Sequence, residues 1–150
     1  MYEKILVPLD GSKLAETALP HAESLARRYN ATLILLSVIN PPIITDRETV
    51  TTELYQQQLD VLIKDTELYL KGLRGEFKEK RIKAESLVIQ GPVVEGIVTA
   101  ADNHSVDLVI IASHGRTGLK RVFFGSIAAG VLNRIEQPLM VIRCTDSKSD

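Results

Sequence analysis

The sequence has a single cysteine, a formal net charge of −1 and no apolar run long enough to cross a membrane. One thiol cannot form an internal disulfide, and Cys144 has no neighbouring Cys or His cluster, so we interpret it as a plain buried or half-buried side chain. The near-zero charge excludes the overall basic excess typical of nucleic-acid-binding proteins. We therefore expect a cytoplasmic protein that binds neither nucleic acid nor membranes.

What the chain does contain is typical of an ordinary globular domain. Of its 150 residues, 45% are hydrophobic and 25% are charged, and a chain of this length can bury a single core. The sequence has no internal repeat and no low-complexity segment. We expect one domain over residues 1–145, followed by a polar tail at residues 146–150.

Five short aliphatic runs predict strands: KILVPL (4–9), TLILLSVI (32–39), AESLVI (84–89), DLVIIA (107–112) and PLMVIR (138–143). Four of them are nearly continuous in apolar residues, as a parallel sheet covered on both faces requires. AESLVI is the most polar, which favours a place near an edge.

Helical spacing of apolar residues separates these runs. A first helix is predicted from Ala15 to Tyr29, with Ser12 as a possible N-cap, Asn30 as the stop and Pro20 removing one hydrogen bond inside it. A long amphipathic helix is predicted over 55–77, weakened near Gly72 and Gly75. Residues 93–103 and 126–135 give two more helices, and residues 40–50 a proline-broken connection.

The alternation of strands and helices predicts an α/β fold, a three-layer sandwich around a five-stranded parallel sheet. In such sheets, ligands bind beyond the carboxyl ends of the strands, where the strand order reverses. PLDGS (8–12) follows the first strand, and SHGRTGLKRVFFGS (113–126) begins where the fourth ends. If both line one site, strands one and four are neighbours and the order is 3-2-1-4-5.

The stretch 113–126 has the chemistry of an anion site. Gly115, Gly118 and Gly125 permit positive φ and close backbone approach, so successive N–H groups can form a nest for phosphate oxygens. Ser126 then opens a helix whose free N–H groups favour an anion. The cationic or potentially cationic side chains of the stretch raise the local positive potential: His114, Arg116, Lys120 and Arg121.

Simpler interpretations stay open for the same residues. Ser126 can be only an N-cap, Asp10 only a turn carboxylate, and the cations only solvated surface charges. His114 has no evident acid and nucleophile beside it, which disfavours a catalytic role. We predict no catalytic residue and no metal bound by protein side chains.

Over residues 2–143 the chain resembles a universal stress protein of the nucleotide-binding kind. The resemblance rests on KILVPLDGS, TLILLSVI, QGPVVEGIV, DLVIIASHGRTGLKRVFFGSIAAGVL and QPLMVIR. The family's motif G-x2-G-x9-G-[ST] is met by Gly115, Gly125 and Ser126. Ala112 stands where the motif has its first Gly and adds one methyl group.

The resemblance implies a Rossmann-like, adenine nucleotide alpha hydrolase-like fold and a site for ATP, with AMP or cyclic AMP as alternatives. Mg²⁺ or Mn²⁺ would bind through the phosphates. It places Pro8 and Asp10 near the adenosine, Val38 against the adenine, and Ile127 N–H on the phosphates. The full set of expected binding residues is Pro8, Leu9, Asp10, Val38, Ala112, Ser113, Gly115, Arg116, Gly125, Ser126 and Ile127.

The resemblance also implies a homodimer that forms through the last strand, from Pro138 to Arg143. We interpret the chain as an ATP-binding stress-response or signalling module with at most weak hydrolysis. One alternative, favoured by Ala112, is a dimeric interaction protein of the same fold without nucleotide binding. A weaker alternative is a slow ATP-hydrolysing enzyme.

Overall fold

The computed structural model of the protein describes residues 1–41, 51–113 and 125–144. Within them the chain alternates strands and helices. The strands are β1 (Lys4–Pro8), β2 (Thr32–Ile39), β3 (Ala84–Gln90), β4 (Leu108–Ser113) and β5 (Leu139–Arg143). The helices are α1 (Leu19–Tyr29), α2 (Thr52–Glu79), α3 (Val93–Asn103) and α4 (Ser126–Arg134), and a 3-10 turn (Ala15–Ala18) precedes α1.

The five strands form one parallel sheet in the order β3-β2-β1-β4-β5. This is the predicted order, which is therefore confirmed. The most polar strand, β3, lies at one edge as expected, and β5 lies at the other. The first and fourth strands are neighbours at the centre, so the strand order reverses between them.

Alternate strand residues build two separate cores, one on each face of the sheet. Ile5, Val7 and Leu35 pack with the small residues of α1 and with Leu70, Leu73 and Phe77 of α2. Their neighbours in sequence, Leu6, Ile34 and Leu36, pack on the opposite face with α3 and α4. Both faces are apolar because both are covered, which explains the unbroken hydrophobic runs.

The first helix begins later than its apolar spacing suggests. The prediction of a continuous helix from Ala15 was wrong, since Ala15–Ala18 is a 3-10 turn and α1 starts at Leu19. Pro20 consequently lies in the first turn, where a missing N–H breaks no helical hydrogen bond. The helix ends as expected at Asn30, whose left-handed backbone (φ 54°) caps it.

The long helix α2 runs without interruption through Gly72 and Gly75 to Glu79. The predicted long helix is confirmed, and the two glycines do not interrupt it. Leu70, Leu73 and Phe77 are buried on both sides of the glycine positions, and packing against the sheet outweighs a low helix propensity.

Cys144 follows β5 and is buried, as expected of a structural thiol. Its Sγ lies 3.1 Å from the Thr17 hydroxyl oxygen, so it packs against the 3-10 turn.

In the described part of the chain, no helix combines the length and the apolar character needed to cross a bilayer.

A carboxylate before β4 ties this strand to β1, about a hundred residues earlier in the chain. Asp107 Oδ2 accepts the backbone N–H groups of Glu3 at 2.8 Å and Lys4 at 2.9 Å. The Asp107 N–H in turn donates to the Lys4 carbonyl at 2.9 Å. The two donated N–H bonds, from Lys4 first and then Glu3, lower the pKa of Asp107 below its ordinary 3.8.

We predict that Asp107→Asn destabilises the protein by about 1 kcal/mol, because an exposed amide accepts these two N–H groups less strongly than a carboxylate does. A lowered folded-state pKa means that the contribution is present above the ordinary pKa and is lost as pH falls through the lowered value. Urea unfolding from pH 7 to pH 3 should therefore show a smaller loss of stability below pH 4 in the variant. Equal stability and equal pH dependence in both proteins would contradict this role.

Candidate functional site

A cleft of about 220 Å³ opens where the strand order reverses, beyond the carboxyl ends of β1 and β4. The loop after β1, the end of β2 and the first turns of α3 and α4 complete its walls. The described lining residues are Pro8, Leu9, Asp10, Leu14, Ala15, Leu36, Val38, Val93, Ile97, Ile111, Ala112, Gly125, Ile127 and Ala128.

Seven of the eleven predicted binding residues line this one cleft: Pro8, Leu9, Asp10, Val38, Ala112, Gly125 and Ile127. Ser126 adjoins two lining residues without being one itself. Ser113 is buried, and its hydroxyl donates to the Ile142 carbonyl at 3.3 Å, between β4 and β5. Gly115 and Arg116 lie outside the described residues, as do His114, Gly118, Lys120 and Arg121.

The walls of the cleft are mainly aliphatic. Val38 at the end of β2 faces the same space as Ile97 of α3 and Ile111 of β4. Such surfaces suit a flat apolar group. Sequence reasoning missed seven lining residues: Leu14, Ala15, Leu36, Val93, Ile97, Ile111 and Ala128. Most of them carry no sequence signal for binding, because their apolar side chains are typical of an ordinary hydrophobic core.

The turn after β1 carries the charged group of the cleft. Asp10 Oδ1 accepts the Ser12 N–H at 2.9 Å and also the Ser12 hydroxyl hydrogen, across Gly11 with φ 85°. Ser12 Oγ accepts the Ala15 N–H at 3.1 Å. The turn role of Asp10 is thus confirmed. Ser12 is not the N-cap of a helix, since Leu14 precedes the 3-10 turn and Ala18 is the N-cap of α1. Asp10 also lines the cleft.

Helix α4 points its N-terminus at the cleft. Gly125 is the N-cap and lines the cleft together with Ile127 of the first turn. The N-cap interpretation of Ser126 was therefore wrong, because Ser126 is the first helical residue. Gly125 has φ −52° and ψ 152°, so it needs no positive φ, contrary to expectation. First-turn N–H groups have no acceptor within a helix, and here they border the cleft.

A second helix N-terminus borders the same space. Gly91, with φ 135°, turns the chain after β3, and Pro92 is the N-cap of α3. Val93, the first residue of α3, lines the cleft. The Gly-Pro pair directly after a strand was the sequence signal for this wall. Two positive helix ends converge on one opening and favour an anionic ligand.

A second hollow of about 370 Å³ adjoins the cleft and shares Leu9, Asp10 and Val38 with it. It is more polar, with Tyr69 and Asp65 of α2 in its wall. Burial raises the pKa of Tyr69 to about 12, and the charges of Glu16 and Asp10 act in the same direction. The raised pKa keeps the Tyr69 hydroxyl a neutral hydrogen-bonding group even at alkaline pH.

No group of three His, Cys, Asp or Glu side chains suited to a metal ion occurs among residues 1–41, 51–113 and 125–144.

Ser37, a buried polar residue of β2, donates its hydroxyl to the Leu9 carbonyl at 2.8 Å. The Leu9 N–H donates to the Leu36 carbonyl at 2.7 Å. These two bonds fix the floor between cleft and hollow.

Gly96 of α3 lets this helix approach β2 at Val38. A Cβ atom at Gly96 would lie 2.8 Å from Val38 Cγ1 and 2.9 Å from Cγ2. Real Cβ contacts are almost never so short, and the β-branched valine side chain is stiff. Glycine at this position therefore determines where Val38 stands in the cleft.

We predict that Gly96→Ala lowers the free energy of unfolding by about 1 kcal/mol, because overpacking against Val38 exceeds the helix-propensity gain of alanine. The control is Gly72→Ala in α2, where nothing lies within 4 Å of the new Cβ. That variant should be stabilised by up to about 1 kcal/mol. Urea denaturation measures both, and a stabilised Gly96→Ala would show that α3 does not press on Val38.

A family model described as the Universal stress protein family matches residues 1–143 of the chain. The chain is similar to Universal stress protein MJ0577 of Methanocaldococcus jannaschii, with 30% identity over 159 aligned residues that cover 98% of each sequence. The solved structure of MJ0577 matches with a TM-score of 0.82 and covers 98% of this chain and 99% of that one.

Two further solved structures, each 20% identical to this chain, share its fold. One is a universal stress protein in complex with cAMP, with a TM-score of 0.68 and coverage of 95% of this chain and 97% of that one. The other is the universal stress protein from Archaeoglobus fulgidus in complex with dAMP, with a TM-score of 0.66 and coverage of 94% and 98%. The expected adenine nucleotide alpha hydrolase-like fold is confirmed by these likenesses and the strand order.

Proposed function

The chain belongs to the universal stress protein family, and from that premise we propose that it binds an adenine nucleotide, ATP in preference, in the cleft between β1 and β4. It acts in the cytoplasm as a nucleotide-dependent stress-response or signalling module. The observation that carries the proposal is the convergence of four separate segments on one cleft: residues 8–10, Val38, Ala112, and Gly125 with Ile127.

Different walls of the cleft suit the apolar and the anionic parts of the nucleotide. The adenine lies between aliphatic side chains, with Val38 on one side and Ile97 and Ile111 on the others. The ribose lies near the Asp10 carboxylate, which accepts hydrogen bonds from hydroxyl groups. The phosphates reach the N-terminus of α4, where free N–H groups and the helix dipole stabilise negative charge.

The size of the cleft agrees with partial enclosure of the nucleotide. Its volume of about 220 Å³ is below the roughly 300–1,000 Å³ of typical small-molecule sites. The described walls therefore hold the base and ribose, and the phosphates extend along α4. Related proteins in complex with cAMP and dAMP support an adenine nucleotide as the ligand. Mg²⁺ or Mn²⁺ would accompany it through the phosphate oxygens.

A second candidate function is that of a dimeric interaction protein without a nucleotide. Ala112 favours it, because this residue lines the cleft and carries a methyl group where the family motif has glycine. One methyl group narrows the opening without closing it, so we retain nucleotide binding as the proposal. Slow ATP hydrolysis is a third and weaker candidate.

We predict that Gly125→Val weakens ATP binding by about 2 kcal/mol or more, near thirtyfold, because its side chain occupies the space that phosphate oxygens would take. Valine accepts the φ and ψ of Gly125, so the variant should fold. Ser126→Ala should cost less, about 1 kcal/mol, since it removes one hydroxyl donor and leaves the helix N–H groups in place. Calorimetric titration with ATP measures both affinities.

Thermal melts of both variants separate loss of binding from loss of folding. A Gly125→Val protein that melts like the parent and binds ATP equally well would show that the phosphates do not lie at the start of α4. If the unmodified protein hydrolysed many ATP molecules per second, the result would instead favour an ATP-hydrolysing function.

We also propose that the protein is a homodimer joined through residues 138–143, which contain β5. This strand lies at the sheet edge, where unpaired backbone groups favour association with another strand. The Val109 N–H donates to the Pro138 carbonyl at 3.0 Å, and parallel alternation then directs the Val141 N–H away from β4. Antiparallel pairing with a second β5 would satisfy these outward groups.

We predict a dimer at tens of micromolar by light scattering, and a monomer for Val141→Pro, which removes an outward N–H but none of the bonds to β4. A melt of the variant checks that the sheet is intact. A parent protein that is monomeric with and without ATP would rule out the β5 interface.

A further inference from the structure

A basic groove of about 700 Å³ lies at the opposite end of the sheet from the cleft, where β2 and β3 begin. One wall is the last third of α2, and the other is the turn into β3 together with the start of that strand. Five cationic side chains line it: Lys71, Arg74, Lys78, Arg81 and Lys83. Its volume is within the range of small-molecule sites.

The described lining of this groove has a large excess of positive charge. Glu85 is the one acid among its lining residues, and in the described part of the chain no carboxylate lies within ion-pair distance of the five cations. Two cations near the groove do have a carboxylate partner, since Glu23 accepts Arg27 at 3.1 Å and Lys80 at 3.0 Å. These bonds, that from Lys80 foremost, hold the pKa of Glu23 below its ordinary value.

Three of the five cations lie close together on α2, which forms one side of the groove. Lys71, Arg74 and Lys78 follow the spacing i, i+3, i+7, so they share one face of α2 within about 10 Å along the axis. Like charges at this spacing oppose helix formation. Arg74 Nη1 donates to Ser86 Oγ of β3 at 3.2 Å, which holds the guanidinium across the groove.

On the side formed by the turn into β3, an arginine lies at a position whose backbone conformation is unfavourable for it. Arg81 has φ 62°, in the left-handed region that non-glycine residues rarely adopt. The chain uses asparagine, a residue type enriched in this region, for the equivalent position after α1. Arg81 thus lines the groove at a position where its backbone conformation has a cost.

The groove has room for a ligand between its cations. Nothing lies within 4 Å of a Cβ atom placed at Gly75, which lines the groove on the helix side. None of the described lining residues is aromatic, so the groove lacks the stacking surfaces with which proteins hold the bases of single strands.

We propose that this basic groove is a second anion site, separate from the nucleotide cleft, which binds a compact ligand carrying several adjacent phosphate groups. Arginine forks and lysine ammonium groups are the side chains that recognise phosphate oxygens. Several cations within about 10 Å match clustered phosphates better than a single carboxylate. The site does not depend on nucleotide binding in the cleft.

The test is calorimetric titration of the full chain with inorganic triphosphate, using Gly75→Glu to place a carboxylate in the groove. Glutamate also has a higher helix propensity than glycine, so the variant should stay folded. We expect at least a tenfold loss of triphosphate affinity. Gly72→Glu is the matched control, because it makes the same charge change on α2 outside the groove lining and should change affinity less than threefold.

A second pair of variants removes charge instead of adding it. Lys71→Gln with Lys78→Gln should also weaken binding at least tenfold, whereas Lys13→Gln with Lys64→Gln, equal in charge, should not. Binding should weaken with added salt and be much weaker for monophosphate than for triphosphate.

Three outcomes would overturn the proposal. One is triphosphate binding that survives Gly75→Glu and is lost in Gly125→Val, which would assign the anion to the nucleotide cleft. Another is an equal loss of triphosphate affinity in a groove variant and in its control variant, which would indicate only a general charge effect. The third is tighter binding of single-stranded oligonucleotides that increases with their length, which would indicate a nucleic-acid surface.

Discussion

The parallel pairing of β1 with β4 is the contact on which the candidate cleft depends. Ile5 lies beside Leu108 and Leu6 beside Val109, in strands about a hundred residues apart in the chain. The Asp107 carboxylate reinforces this register at the amino ends of the strands. At the carboxyl ends the following segments must diverge to opposite faces of the sheet, and the cleft is the space they leave.

Close helix packing then decides the shape of that space. Gly96 brings α3 against Val38, and Gly130 of α4 faces Val94 of α3, where a Cβ atom would lie 2.9 Å from Val94 Cγ2. The two helices thus approach β2 and each other closely enough to direct both N-termini at one opening. Backbone dipoles, instead of charged side chains, supply the positive end of the site in the described residues.

The sequence predicted the layers and strand order well, because buried parallel strands leave unbroken apolar runs separated by helical spacing. It predicted less well where tertiary context outweighs local propensity. Pro20 was placed inside a helix because the turn before Leu19 has helical spacing, and Gly72 and Gly75 were expected to weaken a helix that packing keeps whole. Gly125 was expected to permit a positive φ, but its φ is −52°.

The aliphatic walls of the cleft could not be predicted, since Leu36, Ile97 and Ile111 are buried core residues and only the fold shows that they lie beside the cleft. They also provide the most direct measurement, because their methyl groups report on the cleft itself. In a ¹H–¹³C spectrum, ATP should shift the methyl signals of Val38, Ile97 and Ile111 and saturate at one nucleotide per chain. If these signals stay unchanged at millimolar ATP, the cleft between β1 and β4 is not an adenine nucleotide site.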